Sequence, residues 1–231
     1  MKNILFLGIE TVTLTSTWEE LPEALQEHWL RKAYVLKGEE DIELLYQQRA
    51  SAFAEFGKVV CIGLGGWDRD GFHLSCLHDV DEGGLLYDFI QRVEKHPAGQ
   101  KLVLCAHNGK EFDFPYLCRR MLINGLALPN VLNISGKKPW EIPHKDTLEM
   151  WKFGDRKIYT SLGLMSAVLG IPTTSMSTFE KRALKFPASI QELAATSMEK
   201  VLAMARVYAR LAAQAPIVDE AVIRNRILER N

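Results

Sequence analysis

Apolar residues open the chain almost at once. Asn3 is followed by Ile4-Leu5-Phe6-Leu7, a compact run that predicts a buried strand. The pattern then changes. From Ser16 to Phe56 the chain is acidic, and Trp18, Leu21, Leu25, Trp29 and Leu30 fall near helical spacing, which Ile42, Leu45 and Tyr46 repeat. This stretch predicts a helical insertion over about residues 16–56, its aromatics serving as core or lid contacts. Lys58 to Leu64, rich in Val and Ile, and Phe72 to Leu77 predict two strands. Trp67-Asp68-Arg69-Asp70-Gly71 forms the turn of a hairpin between them. Leu85 to Val93 is amphipathic with helical period and ends at Pro97-Ala98-Gly99. Lys101 to Cys105 predicts a fourth strand. Phe114 to Leu122 predicts a helix that tolerates Pro115 in its first turn. A loop with Gly136-Lys137-Lys138-Pro139-Trp140 and a short strand precede a helix from Thr160 to Leu169, closed by Gly170-Ile171-Pro172. A long helix, Ile190 to Ala213, is broken at Pro216, and a short tail helix is expected after it.

The first three strands, joined by tight connections, should run antiparallel. The fourth, reached through a helix, should lie parallel to the first. The expected class is α/β: a mixed five-stranded sheet flanked by helices, with the helical insertion after the first strand. One domain is expected over residues 1–214, and the tail helix over 215–231.

The 231 residues are 47% hydrophobic and 25% charged, which fits one domain with a full core and excludes global disorder. No run of about 18 apolar residues offers a membrane span, and Ile4 to Leu7 is too short for a signal-peptide core, so a cytoplasmic protein is expected. Cys61, Cys76, Cys105 and Cys118 are widely spaced, which predicts buried, reduced thiols; His78 beside Cys76 lacks the second pair of a zinc site. The net charge of −1 is unevenly spread. Residues 1–100 carry 9 Lys/Arg against 17 Asp/Glu, whereas residues 101–160 carry 10 against 6. A basic second half could present one positive surface to a polyanion, or simply scatter solvated charges over helices.

Two segments carry candidate chemistry. Glu10 stands just past the first apolar run. Asn108-Gly109-Lys110-Glu111-Phe112-Asp113 follows the fourth strand directly. If those strands are neighbours, Glu10 and Asp113 meet at one sheet end, where two carboxylates could hold a divalent cation. Equally, Asp113 could be a helix N-cap, Asn108 a turn residue and Glu10 a solvated strand end.

Ile4-Leu5-Phe6-Leu7-Gly8-Ile9-Glu10-Thr11 resembles the first motif of the DEDD 3'-5' exonucleases, a ribonuclease-H-like superfamily, and Asn108-x-x-x-Phe112-Asp113 resembles the second. The likeness is greatest to the predicted exonuclease family similar to the proofreading domain of B-family DNA polymerases. It spans about residues 3–212 and is most specific over His107 to Arg120 and Lys137 to Gly154. The latter stretch includes His144-x-Asp146-Thr147 and Trp151-Lys152-Phe153-Gly154. The resemblance implies a ribonuclease-H-like fold and a mechanism in which four carboxylates hold two divalent metals, magnesium or manganese. It also implies an Asp-x-Glu first motif and a Tyr-x-x-x-Asp third motif on the long C-terminal helix.

This chain departs from that pattern. Gly8 stands where the first aspartate belongs, and the best register of the third motif places Thr196 at the tyrosine and Lys200 at the last aspartate. Only Glu10 and Asp113 remain as catalytic remnants and as metal ligands if a metal binds. Lys200 is expected to act as a built-in cation paired to one or both of them. Glu199 should face elsewhere, while Asp146 or Asp155 could approach the site.

The expected function is a catalytically impaired exonuclease relative that binds single-stranded nucleic acid and requires no cofactor. Asn108, Lys110, Phe112, Lys137, Lys138, Trp140 and Lys152 are its candidate binding residues. Arg119, Arg120, Arg156 and Lys157 are further phosphate contacts, and Phe114 and Tyr159 are further stacking rings. One alternative is a weakly active, magnesium- or manganese-dependent 3'-5' exonuclease. Another is a protein-interaction scaffold docking through Trp18 and Trp29; nothing in the residues identifies its partner.

Overall fold

The computed structural model describes residues 1–37, 41–155, 159–173 and 190–224. Its frame is a mixed sheet of six strands in the order β5-β4-β1-β2-β3-β6. The central strand, β1 (Ile4–Thr13), runs antiparallel to β2 (Gly57–Trp67), which turns through the expected hairpin into antiparallel β3 (Phe72–His78). On the other side β4 (Val103–Ala106) lies parallel to β1, and the two-residue β5 (Lys145–Asp146) parallel to β4.

The end of the chain corrects the expectation. The region read as a tail helix contains a short 3-10 turn at Asp219–Ala221 and a sixth strand, β6 (Val222–Arg224), parallel to β3. Residues 225–231, the rest of that stretch, lie outside the described residues. The sheet therefore has six strands rather than five.

Seven helices are described: α1 (Glu23–Lys37), α2 (Ile42–Arg49), α3 (Glu82–Glu94), α4 (Asp113–Ile123), α5 (Thr147–Lys152), α6 (Leu162–Val168) and α7 (Ile190–Leu211). Opposed residues on paired strands point to the same face. Phe6 and Gly8 oppose Gly65 and Gly63, so these four share a face, and α7 lies on it. The two β2 glycines allow the close approach. A Cβ on Gly63 would fall 2.4 Å from Ser197 Oγ, and one on Gly65 would fall 2.7 Å from Val201 Cγ1. Helix α7 buries Ala194, Ser197, Met198, Val201, Leu202, Ala205 and Tyr208 there, spaced by three or four residues. The opposite face carries Leu5, Leu7, Leu64 and Ser75, and α3 packs across β2 and β3 with Leu85, Leu86, Phe89 and Val93 buried.

Two further features hold the frame. The insertion has its own small core of Leu21, Trp29, Ala33, Leu45, Tyr46, Ala50 and Phe56, in which Trp29 meets Tyr46 and Phe56 edge-on at 5.1 and 5.2 Å. Trp29 is fully buried, which removes it from any docking surface. A buried ion pair joins Glu82 of α3 to Arg120 of α4, with the guanidinium Nε and Nη2 both on the carboxylate. Glu82 also accepts from Val59 N at 2.7 Å, and Arg120 donates to Ala54 O at 2.9 Å. Arg120 is thus a structural residue tying both helices to β2 and to the end of the insertion. It is not the phosphate contact its charge suggested. Cys61, Cys76 and Cys105 are buried free thiols and Cys118 is half-buried and free. Among the described residues, no helix is long and apolar enough to cross a membrane.

Candidate functional site

A cleft of about 230 Å³ opens on the α7 face, between β1, the start of α4, the start of α6 and the middle of α7. Gly8, Glu10, Phe112, Asp113 and Lys200 all line it. The topology explains this gathering. Parallel pairing of β1 with β4 puts the β4–α4 loop beside the second half of β1. Gly63 and Gly65 let α7 settle low enough to bring Lys200 to the same place.

The centre of the cleft is an ion pair. Lys200 Nζ stands 2.7 Å from Glu10 Oε1, with the Lys200 side chain 27% exposed and that of Glu10 11%. Asp113, in the first turn of α4, points its carboxylate back to β1 and accepts a hydrogen bond from Ile9 N at 3.0 Å. Burial raises the Asp113 pKa to about 7, with the Asp146 and Glu10 charges pushing the same way and the Ile9 amide opposing. Gly8 leaves open space. A Cβ there would meet nothing nearer than Val201 Cγ2 at 3.9 Å. Thr196, one turn before Lys200, is half-buried and is not among the lining residues.

The loop that delivers Asp113 is held by Asp146. Its carboxylate accepts from Asn108 N, Lys110 N, Leu148 N and Glu149 N at 2.9 to 3.3 Å. Four backbone donors use up this carboxylate, which also caps α5 and pins Asn108 at φ 60, the left-handed conformation Asn tolerates. Asp146 is therefore a scaffold for the site and offers it no ligand. Asp155 is exposed and does not line the cleft.

The residues present do not fit a two-metal centre. Gly8 supplies no side-chain oxygen, Glu10 faces an ammonium, and Asp113 is a buried carboxyl that retains its proton toward neutrality. Among the described residues, three ligating atoms converge only at Asp68 and Asp70 of the exposed hairpin turn and half-buried His73 of β3, none of which lines this cleft.

The expected binding residues divide. Asn108 and Phe112 sit at or beside the cleft, Phe112 half-buried with its ring 5.3 Å from that of Tyr116. Lys110 stands next to them, but its ammonium is 2.6 Å from Glu149 Oε2. Lys152 is half-buried in the last turn of α5. Lys137 lines a different groove with Gly99, Leu102 and His144, at the entry of β4 rather than its exit. Lys138 and Trp140 are on the same loop, with the Lys138 ammonium 5.3 Å above an indole that is 77% exposed. Arg119 is exposed, and Phe114 is fully buried and cannot stack on a base. Arg156 and Lys157 lie outside the described residues.

Sequence reasoning passed over His107. It lines the cleft and bonds Thr147 Oγ1 at 2.9 Å and Thr160 O at 3.0 Å, joining the end of β4 to the first residue of α5 and to the segment before α6. Burial pushes its pKa down. Tyr159, 65% exposed, stands edge-on to it with ring centres 6.4 Å apart, so an accessible aromatic ring rims the opening. The signal was a polar residue immediately after an apolar strand, the usual place for a ligand-facing side chain in this fold class.

No known protein family and no curated protein matches the sequence. Among solved structures, the chain is similar to the family B DNA polymerase from the hyperthermophilic archaeon Pyrobaculum calidifontis. The TM-score is 0.54 at 13% identity, covering 93% of this chain and 26% of the polymerase. The chain thus spans about a quarter of the length of that polymerase. The likeness is one of fold: a mixed α/β sheet flanked by helices, of the ribonuclease-H-like kind.

Proposed function

We propose that this is an exonuclease-like protein that has lost two-metal catalysis and binds the end of a single nucleic-acid strand. The observation that carries the reading is the Lys200–Glu10 ion pair at 2.7 Å beside a glycine at position 8. A lysine ammonium supplies one fixed positive charge where the family mechanism needs two dications, and it cannot lower the pKa of a water as a metal does. What remains is a small cleft with one cation among the described residues, Lys200, and an accessible rim ring, Tyr159, suited to hold a phosphate and stack a terminal base.

The test is a manganese titration by calorimetry of the native chain and of the Gly8→Asp, Lys200→Asp double variant. It runs beside a degradation assay on a strand labelled at its 5' end. The native chain is expected to bind no manganese and to leave the strand intact while retaining it in a filter or anisotropy assay. The double variant is expected to take up manganese, since the space at Gly8 admits an aspartate. Tight manganese binding by the native chain, with shortening of the strand that disappears in Asp113→Ala, would replace this reading with that of a working exonuclease.

A further inference from the structure

A groove larger than the cleft described above lies elsewhere on the sheet. It holds about 820 Å³ and lies on the opposite face of the sheet, where α3 leaves the ends of β1, β2 and β3 uncovered. Its floor is made by Leu5, Leu64 and Leu77, which belong to the face opposite α7 by strand register. Gly66 deepens that floor. A Cβ there would fit without a clash, in ordinary van der Waals contact with Ile4 O at 3.7 Å and Leu5 Cδ1 at 3.8 Å.

The walls are basic and come from three separate parts of the chain. Lys2 precedes β1, Arg69 sits in the hairpin turn, Arg92 lies in the last turn of α3 and Lys95 caps the C-terminus of that helix. Arg92 is held toward the sheet by donating to the buried Ser75 Oγ at 3.1 Å. Asp68 and Asp88 are the carboxylates on the same walls, which leaves four cationic side chains against two anionic ones.

We propose that this groove is a second binding site, separate from the Glu10–Lys200 cleft, for a small phosphorylated molecule of about nucleotide size. The volume falls within the roughly 300–1,000 Å³ of small-molecule sites and is far more than a lone phosphate fills. The aliphatic floor takes an apolar or planar body. The converging guanidinium and ammonium groups take the phosphate, for which the planar fork of Arg92 is the geometric match. A long strand tracking across the surface would not need the recess that Gly66 creates.

Calorimetry of the full chain with ADP, with UMP and with fructose 1,6-bisphosphate tests this at low salt. At least one probe is expected to bind with a Kd below about 1 mM. Arg92→Glu with Lys95→Glu is expected to weaken it by about tenfold or more, and so is Gly66→Val, which fills the floor without changing charge. Gly66→Val makes only ordinary van der Waals contacts at its Cβ, and an unchanged melting curve shows that the variant is folded. Lys200→Ala, on the other face, is expected to leave the affinity unchanged. Absence of binding by all three probes at about 1 mM overturns the proposal. So does binding that survives both groove variants, or that is lost in Lys200→Ala.

Discussion

Asp113 is a carboxylate whose charge is costly where it sits. Its pKa of about 7 lies above the ordinary 3.8, so over that interval the folded chain keeps a proton that the unfolded chain releases. The stabilisation this represents is complete below pH of about 4 and is lost as pH rises through 7. Asp113→Asn keeps an oxygen for Ile9 N and removes the titration. Its stability relative to the native chain should rise between pH 4 and pH 8 by roughly 1–4 kcal/mol. Urea denaturation at both pH values reads this directly, and an equal pH response in the two proteins would refute it. At the same scale, the sequence revealed Glu10, Asp113 and Lys200 because each follows a recognisable strand end or falls on a helix register. It could not reveal Arg120, since a basic residue on an amphipathic helix looks the same whether it meets water or a buried Glu82. Removing Glu82's charge alone, in Glu82→Gln, should cost roughly 3–5 kcal/mol, measured as a shift in the denaturation midpoint.

At the scale of elements, apolar period carried most of the reading. β1 to β4, α3, α4 and α7 all have enough consecutive or periodic apolar residues to declare themselves. β6 does not. Val222–Arg224 is three residues long, and the flanking Ala221, Ile227 and Leu228 mimic a helical stripe. Pairing with β3, not local preference, decides its conformation. The insertion was legible as helical, but the separateness of its core was not, because which aromatics meet depends on how α1 crosses α2. That separateness predicts a local response. Trp29→Ala should destabilise the insertion by roughly 3–5 kcal/mol. Amide exchange should accelerate across α1 and α2 while α7 and the sheet stay protected. Acceleration spread evenly over the chain would mean that the two cores fold as one.

Across the whole molecule, charge is less available than the sequence suggests. Lys110 is engaged by Glu149, Arg120 is buried, and Lys137 belongs to a groove at the other end of β4. Among the described residues, few cations therefore remain near the cleft. The slope of log affinity for single-stranded DNA against log salt is expected to be shallow, roughly −2, as for two or three phosphate contacts. Lys137→Ala with Lys138→Ala should leave affinity within about twofold, whereas Tyr159→Ala should weaken it by about tenfold. Anisotropy titrations at several salt concentrations give both quantities. A steep slope that flattens in the lysine variant would mean that the strand runs past the cleft to the far groove.

The placement of β6 also bears on how the protein is made. Its partner, β3, is complete by His78, but the register Phe72↔Val222 joins segments 150 residues apart in the sequence. On a ribosome adding about 5–20 residues each second, the outer edge of β3 stays unpaired for roughly ten seconds or more after β3 emerges. An unpaired strand edge is a template for intermolecular association. Chains released before Val222 should therefore aggregate during expression more than their small loss of buried surface would suggest.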